Sequence, residues 1–183
     1  NKYLLDGEVS SEVLQNSGIK KENISVSGPV RFQNIWKLKS RKRSTRDTMN
    51  ILVAPGLHDS EFVINFTIKA LINKSNINMI IKPHPKININ KIIKIIDASA
   101  NVPDNCASVD LVKEGSIYSY LNKVDLFITT YSSTGVEAIA FDVPIIMLLS
   151  KKIPDMSLYF GKNDVALKAG NKIELVNHID NLI

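Results

Sequence analysis

Between residues 127 and 148, two apolar runs are separated by a short polar segment that contains hydroxyl groups, a glycine and a carboxylate. The sequence there is FITTYSSTGVEAIAFDVPIIML, and its polar centre consists of Tyr131, Ser132, Ser133, Thr134, Gly135 and Glu137. If the first run is a strand of a parallel sheet that feeds directly into a helix, these groups lie beside the first helical amides at the carboxyl edge of the sheet. Hydroxyls and helix amides can hold a phosphate together, and Gly135 would let that phosphate approach the backbone.

Glu137 extends this interpretation from a phosphate to a sugar, because a carboxylate accepts paired hydrogen bonds from a ribose or hexose diol. The alternative is structural. Ser132, Ser133 and Thr134 would then be an N-cap cluster, with Glu137 as the acidic partner of a capping box. The residues alone leave both interpretations open.

His84 is the second candidate, in the sequence KPHPK. Pro83 and Pro85 flank the imidazole and favour an extended turn of low entropy at the end of an apolar strand. A neutral imidazole can donate to a phosphate oxygen, and a protonated one also neutralises charge on a departing nucleotide. We therefore predict that His84 binds phosphate.

His58 is a weaker candidate, in the sequence APGLHDSE after another apolar strand. Gly56 and His58 could contact the same ligand, since the loop leaves the sheet at the same edge. The loop could equally be the first turn of a helix, with Asp59 or Ser60 as its cap.

The elements that position these loops follow from alternating strand-like and helix-like periodicity. Strands are predicted at 50–55, 77–85, 107–112, 125–130 and 144–149, and helices at 59–75, 87–99, 116–124, 134–142 and from 172 to the end. Strands separated by helices of this length indicate an α/β fold, a doubly wound parallel sheet of the Rossmann-like type. Ligands of such sheets bind beyond the carboxyl ends of the strands.

Residues 1–36 are interpreted as the end of an amino-terminal domain and a hinge strand, 37–48 as a basic linker, and 49–183 as a carboxyl-terminal domain. The opening segment predicts a strand, a helix capped by Ser10 or Ser11 and ended by Gly18, and a second strand ended by Gly28.

Composition describes a globular protein, with 44% hydrophobic and 22% charged residues in a chain of 183. No apolar run approaches the length of a membrane span. The single cysteine, Cys106, offers no disulfide framework, which favours a reducing, cytoplasmic setting.

The formal net charge is +5, with much of it in KLKSRKRSTR at 37–46. That run is interpreted as a solvated linker or as a contact with an anionic membrane surface, and not as a nucleic-acid site, because no recognised reading motif follows it.

The motif IIKPHP, followed by DLFITTYSSTGVEAIAFDVPIIML, resembles the carboxyl-terminal, nucleotide-binding domain of GT-B glycosyltransferases. It is most similar to bacterial families that build capsule, teichoic acid and related surface polymers. The resemblance implies that His84, Ser132 and Ser133 contact the donor phosphate and that Glu137 holds donor hydroxyls, so that His84 and Glu137 are the catalytic candidates. It also implies that Gly28 and Arg31 mark the interdomain hinge.

Two departures concern the CDP-glycerol glycerophosphotransferases within that group. Their pattern has Asp where this chain has Thr130, and Asp where it has Glu137, which favours a sugar donor over glycerol phosphate. The resulting hypothesis is a donor-binding domain of a glycosyltransferase that needs no metal or cofactor and takes a nucleotide-sugar as substrate.

The same hypothesis places a glycan or lipid-linked acceptor on an amino-terminal domain that this chain is too short to contain. It predicts a location in the cytoplasm or at the inner face of the cell membrane. The alternatives are a glycerophosphotransferase-like polymer transferase, an isomerase resembling UDP-N-acetylglucosamine 2-epimerase, and a non-catalytic nucleotide-binding domain. The Gly-Gly pair usual in the epimerases is absent here, where Ser133-Thr134-Gly135 stands.

Overall fold

The computed structural model describes residues 1–29, 35, 47–99, 107–150 and 165–182. The predicted hinge residue Arg31, the basic run 37–46 and Cys106 lie outside the described residues. The chain divides into two compact units, Asn1–Lys39 and Ser40–Ile183. The linker predicted at 37–48 falls mostly in the part that is not described, so its exact limits stay a prediction.

Residues 1–29 of the first unit contain two short parallel strands and one α-helix. Strand β1 is Tyr3–Leu5, helix α1 is Glu8–Asn16, a single 3₁₀ turn is Lys21–Asn23, and strand β2 is Ile24–Val26. Gly18 and Gly28 have φ of +90° and +81°, the left-handed backbone that favours glycine at such ends.

The predicted N-cap of helix α1 at Ser10 or Ser11 is wrong. The helix begins earlier, after Gly7. Ser11 is buried within it, and the Ser10 hydroxyl donates to Asp6 Oδ1 at 2.6 Å, one helical turn back. Hydroxyl side chains bond to nearby groups in several local conformations, so their position along a helix is ambiguous in sequence.

The second unit is a parallel sheet of six strands with helices between them, which confirms the predicted fold class. The strands are β3 (Met49–Val53), β4 (Ile77–Ile81), β5 (Ser108–Leu111), β6 (Leu126–Thr129), β7 (Ile145–Leu148) and β8 (Leu167–Ala169). Within the described residues of this unit, the helices are α2 (Ser60–Leu71), α3 (Ile89–Ser99), α4 (Ile117–Leu121), α5 (Thr134–Ala140) and α6 (Lys172–Asp180).

The strand order is β5-β4-β3-β6-β7-β8, and every neighbouring pair is parallel. Strands β4 and β5 are therefore added on one side of β3. Strands β6, β7 and β8 are then added on its other side. This reversal between β3 and β6 is the topological switch point, where sheets of this type bind ligands. Strand β8 was not predicted, because it is a three-residue edge strand in which Leu167 and Lys168 are exposed and no apolar alternation develops.

Both faces of the sheet are covered. On one face, Ile51 and Val53 belong to a buried cluster with residues of α2, α3 and α6. On the other face, the intervening Leu52 is equally buried, and so is Phe127 on β6. Residues buried on both faces explain why the strands read as continuous apolar runs. None of the helices in the described part of the chain is long and apolar enough to cross a bilayer.

The amino edge of the sheet carries a chain of side-chain hydrogen bonds across four strands. Ser108 Oγ donates to Asn78 Oδ1 at 2.7 Å, and Asn78 Nδ2 donates to Asn50 Oδ1 at 3.0 Å. The Asn50 backbone N–H in turn donates to Asp125 Oδ2 at 2.9 Å. Asn50, Asn78 and Ser108 are direct partners in the parallel register, so the chain of bonds fixes the strand alignment.

We expect Asn78→Ala to lower the free energy of unfolding by about 1–2 kcal/mol, because it removes both bonds of the central residue and leaves the half-buried Asn50 without its partner. Urea denaturation monitored by circular dichroism measures the change. The exposed Asn73→Ala is the matched control and should shift the free energy by less than about 0.5 kcal/mol. Equal effects of the two substitutions would show that the polar chain contributes nothing specific.

Candidate functional site

Three loops leave the sheet at its carboxyl edge beside the switch point: 54–59 after β3, 82–88 after β4, and 130–133 after β6. Strand β3 lies between β4 and β6. Neighbouring strands are about 4.8 Å apart, so the loops of His84 and Ser132 start from strands about 10 Å apart. The two sequence motifs that are distant in the chain therefore meet at one edge, as predicted.

The hydroxyl loop after β6 is held by weak local bonds. The Thr134 backbone N–H donates to Ser132 Oγ at 3.3 Å, and Ser132 Oγ donates to Thr134 Oγ1 at 3.1 Å. The amides of Gly135 and Val136 donate to the carbonyls of Ser132 and Ser133. The first amides of α5 are thus already engaged locally, and an anion at this position would have to displace the long bond to Thr134.

The capping-box interpretation does not match the geometry. Ser133 occupies the N-cap of α5, but within the described residues its side chain makes no capping hydrogen bond. Glu137 is then the fourth residue of the helix instead of the third, one position beyond the acid of a capping box. Glu137 is buried, with 7% of its surface exposed. Tyr131 is half-buried and Gly135 is fully buried at the same helix start.

His84 is half-buried in a turn that its own backbone closes. The Ile87 N–H donates to the His84 carbonyl at 2.9 Å, and the Lys86 N–H donates to His84 Nδ1 at 3.2 Å. An imidazole nitrogen that accepts a hydrogen bond carries no proton, so the neutral ring is protonated at Nε2. The atom that can donate to a ligand is therefore Nε2, on the far side of the ring from the turn.

Lys82 is a functional candidate that the sequence reasoning missed. Its ammonium nitrogen lies 3.3 Å from the Glu114 carbonyl oxygen and 3.4 Å from that of Lys113. It also lies 5.3 Å from the centroid of the Tyr120 ring. Burial lowers the pKa of Lys82 below its usual value. The KPHP motif thus brings a partly desolvated cation and an imidazole to the same edge. The sequence signal for the lysine is its position directly after the apolar residues 77–81.

The loop after β3 is bonded to the loop after β6. The Thr130 hydroxyl donates to Asp59 Oδ2, and both residues are buried. Gly56 adjoins this carboxylate, whereas His58 is exposed on the same loop. Asp59 lies at the N-cap position of α2, as one of the two sequence interpretations expected, but its side chain contacts the other loop instead.

Among the residues that the structure describes, no three His, Cys, Asp or Glu side chains lie close enough together to hold a metal ion. The predicted site residues that share the edge are Gly56, His58, His84, Tyr131, Ser132, Ser133, Thr134, Gly135 and Glu137. Gly28 belongs to the first unit, Asn1–Lys39.

Comparisons with known proteins identify the fold. Neither family models nor curated proteins match the sequence. Among solved structures, MnaA of S. aureus in a co-structure with UDP aligns with a TM-score of 0.70 at 15% identity, over 99% of this chain and 50% of that chain. A putative UDP-N-acetylglucosamine 2-epimerase from Listeria monocytogenes aligns with a TM-score of 0.68 at 13% identity, over 99% of this chain and 50% of that chain.

A third neighbour corresponds to a single domain. The C-terminal CMP-Kdo binding domain of WaaA from Acinetobacter baumannii aligns with a TM-score of 0.51 at 12% identity, over 83% of this chain and 85% of that chain. The present chain spans about half the length of the first two neighbours. At these identities the likeness establishes the fold, and it confirms the predicted Rossmann-like half of a GT-B architecture.

The bond between Lys86 and His84 predicts which nitrogen of the ring carries the proton. In ¹⁵N NMR spectra of the neutral ring, His84 should be protonated at Nε2, with Nδ1 showing the chemical shift of a hydrogen-bond acceptor. The exposed His58 serves as the reference for an imidazole on the same edge. A proton on Nδ1 of His84 would contradict the geometry of this turn.

Proposed function

We propose that this chain is the donor-binding domain of a metal-independent glycosyltransferase. The enzyme would move a sugar from a nucleotide-activated donor to a cell-surface polysaccharide or a lipid-linked acceptor. A second domain would hold the acceptor, and the basic run 37–46 would favour a reaction at an anionic membrane face.

One observation supports this proposal above the others: the turn of His84 and the hydroxyl loop of Ser132 flank the switch point on the same edge of the sheet. Sheets of this topology bind nucleotides at that position. A nucleoside diphosphate needs several donors along its length, and the two loops offer an imidazole N–H and a group of hydroxyls from strands that are about 10 Å apart.

Each group has a distinct role in the proposal. His84 donates from Nε2 to a phosphate oxygen, and charge that develops on the departing nucleotide strengthens that bond. Lys82 adds a positive charge at the same edge, where its ammonium group lies within 3.4 Å of two carbonyl oxygens of the loop after β5. The hydroxyls of Ser132 and Ser133 complete the phosphate contacts, and Glu137 accepts hydrogen bonds from the sugar.

The main enzymatic alternative is an isomerase of the epimerase type, which shares the fold. The neighbour from Listeria monocytogenes carries that name, but its identity of 13% extends the likeness to the fold alone. A hydroxyl-bearing helix start, in place of the Gly-Gly of those enzymes, favours the transferase. A non-catalytic nucleotide-binding domain would share the sheet but would not depend on His84 for binding.

Titration calorimetry of the chain with CMP, CDP, UDP and GDP tests the proposal. We expect at least one nucleotide to bind with Kd below the millimolar range, and His84→Ala to weaken it by about tenfold or more, equivalent to about 1.4 kcal/mol. His178→Ala is the matched control, because that histidine lies in α6 and bonds the Lys168 carbonyl at 2.9 Å. It should leave the affinity unchanged.

Two results would contradict the proposal. If none of the four nucleotides binds, the donor-site assignment is wrong. If a nucleotide binds equally well to the wild type and to His84→Ala, the non-catalytic alternative is favoured.

A further inference from the structure

Three hydrogen bonds in succession join the loop after β3 to the end of strand β6 and to the loop that follows it. The Ala54 N–H donates to the Ile128 carbonyl at 3.0 Å, and Thr129 Oγ1 donates to the Ala54 carbonyl at 2.9 Å. Beyond the end of both strands, the Thr130 hydroxyl donates to Asp59 Oδ2. The last bond is the one made by side chains alone, and it lies directly before Tyr131 and Ser132.

Asp59 bonds Thr130 instead of capping helix α2 with its side chain. It occupies the N-cap of α2, a position where an aspartate normally accepts a hydrogen bond from an amide of the first turn. In the described residues its side chain makes no such bond, and its second oxygen, Oδ1, is buried without a hydrogen-bond partner. Both features cost stability, so the contact with Thr130 is not explained by the needs of helix α2.

Gly56 leaves the room that this arrangement requires. A Cβ atom added at Gly56 would lie 3.1 Å from Asp59 Oδ1, closer than most such contacts. A side chain at this position would require the carboxylate to shift by a few tenths of an ångström. The loop after β3 therefore packs directly against the carboxylate that bonds Thr130.

We propose that Asp59 and Thr130 form a positioning pair for the nucleotide-sugar site. Asp59 holds Thr130, and thereby fixes the start of the hydroxyl loop relative to the loop of Gly56 and His58 across the switch point. The inference rests on the function proposed above and adds two residues to its site. Neither residue needs to touch the ligand, because the pair acts by keeping Ser132 and Ser133 in place.

The contact with Asp59 restricts which side chains are compatible with position 130. A threonine hydroxyl is a donor, and it matches the carboxylate of Asp59. An ionised aspartate at 130 would instead place two buried carboxylates together, which disfavours charge on both. The hydroxyl of Thr130 is therefore compatible with the Asp59 carboxylate, whereas a second carboxylate at this position is not.

A double-mutant cycle tests the proposal, with UDP and CMP as the titrated ligands. Asp59→Ala and Thr130→Val should each weaken binding by about 3- to 30-fold, and the double variant should lose no more than the stronger single variant. Asp59→Asn should bind close to the wild type, because its amide oxygen can still accept from Thr130.

The matched control is Thr67→Val. Thr67 is as fully buried as Thr130, and its hydroxyl donates to the Val63 carbonyl at 2.8 Å within α2, away from the edge. This variant loses one buried hydroxyl bond, and we expect lower thermal stability with unchanged affinity. Hydrogen exchange without ligand provides a second measurement: the amides of residues 131–134 should exchange faster in Thr130→Val than in Thr67→Val.

The outcomes separate the two proposals. If the wild type binds and Thr130→Val binds equally well, the positioning pair is wrong while the donor site stands. Additive losses in the double variant, or an Asp59→Asn variant as weak as Asp59→Ala, would also overturn the pair. If the wild type binds neither nucleotide, the donor site fails and the positioning role fails with it.

Discussion

The parallel pairing of β3 with β6 is the constraint on which the candidate site depends. Ile51, Leu52 and Val53 lie opposite Leu126, Phe127 and Ile128, although more than 70 residues separate them in the chain. The strand order reverses at this pair, so helices on either side diverge and leave a crevice at the carboxyl edge. Without this register, Asp59 and Thr130 would not be in contact, and the turn of His84 would not share an edge with the hydroxyl loop of Ser132.

The polar groups at the two edges of the sheet differ in how completely they are hydrogen-bonded. At the amino edge, Ser108, Asn78, Asn50 and Asp125 form a continuous chain of bonds between 2.7 and 3.0 Å. At the carboxyl edge, Ser132 makes bonds of 3.1 and 3.3 Å, and Asp59 Oδ1 has no partner among the described residues. Polar groups that are fully paired stabilise a fold, whereas the long bonds of Ser132 can be exchanged for bonds to a ligand.

Much of the architecture could be predicted, because strands buried on both faces produce long apolar runs that alternate with amphipathic helices. The edge location of His84 and Ser132 followed from the rule that parallel strands end together. The exposed strand β8 produced no such run and was missed. The N-cap of α1 was wrong because neighbouring serines offer equivalent caps.

The contacts that complete the site could not be predicted. Asp59 looks like an ordinary helix cap, and its partner Thr130 lies 71 positions away. The sequence analysis considered the histidine of the KPHP motif and not Lys82. The contact of Lys82 with the Tyr120 ring depends on the conformation of the segment after β5. Local sequence specifies which groups reach the edge, whereas tertiary packing decides which of them touch.

The most direct measurement of the central claim is a map of backbone amide shifts while UDP or CMP is added to the ¹⁵N-labelled chain. The account predicts changes concentrated in residues 54–59, 82–86 and 130–137, all at the carboxyl edge. Changes at the opposite edge, around Asn50, Asn78 and Asp125, or in only one of the three loops, would contradict a single site built across the switch point.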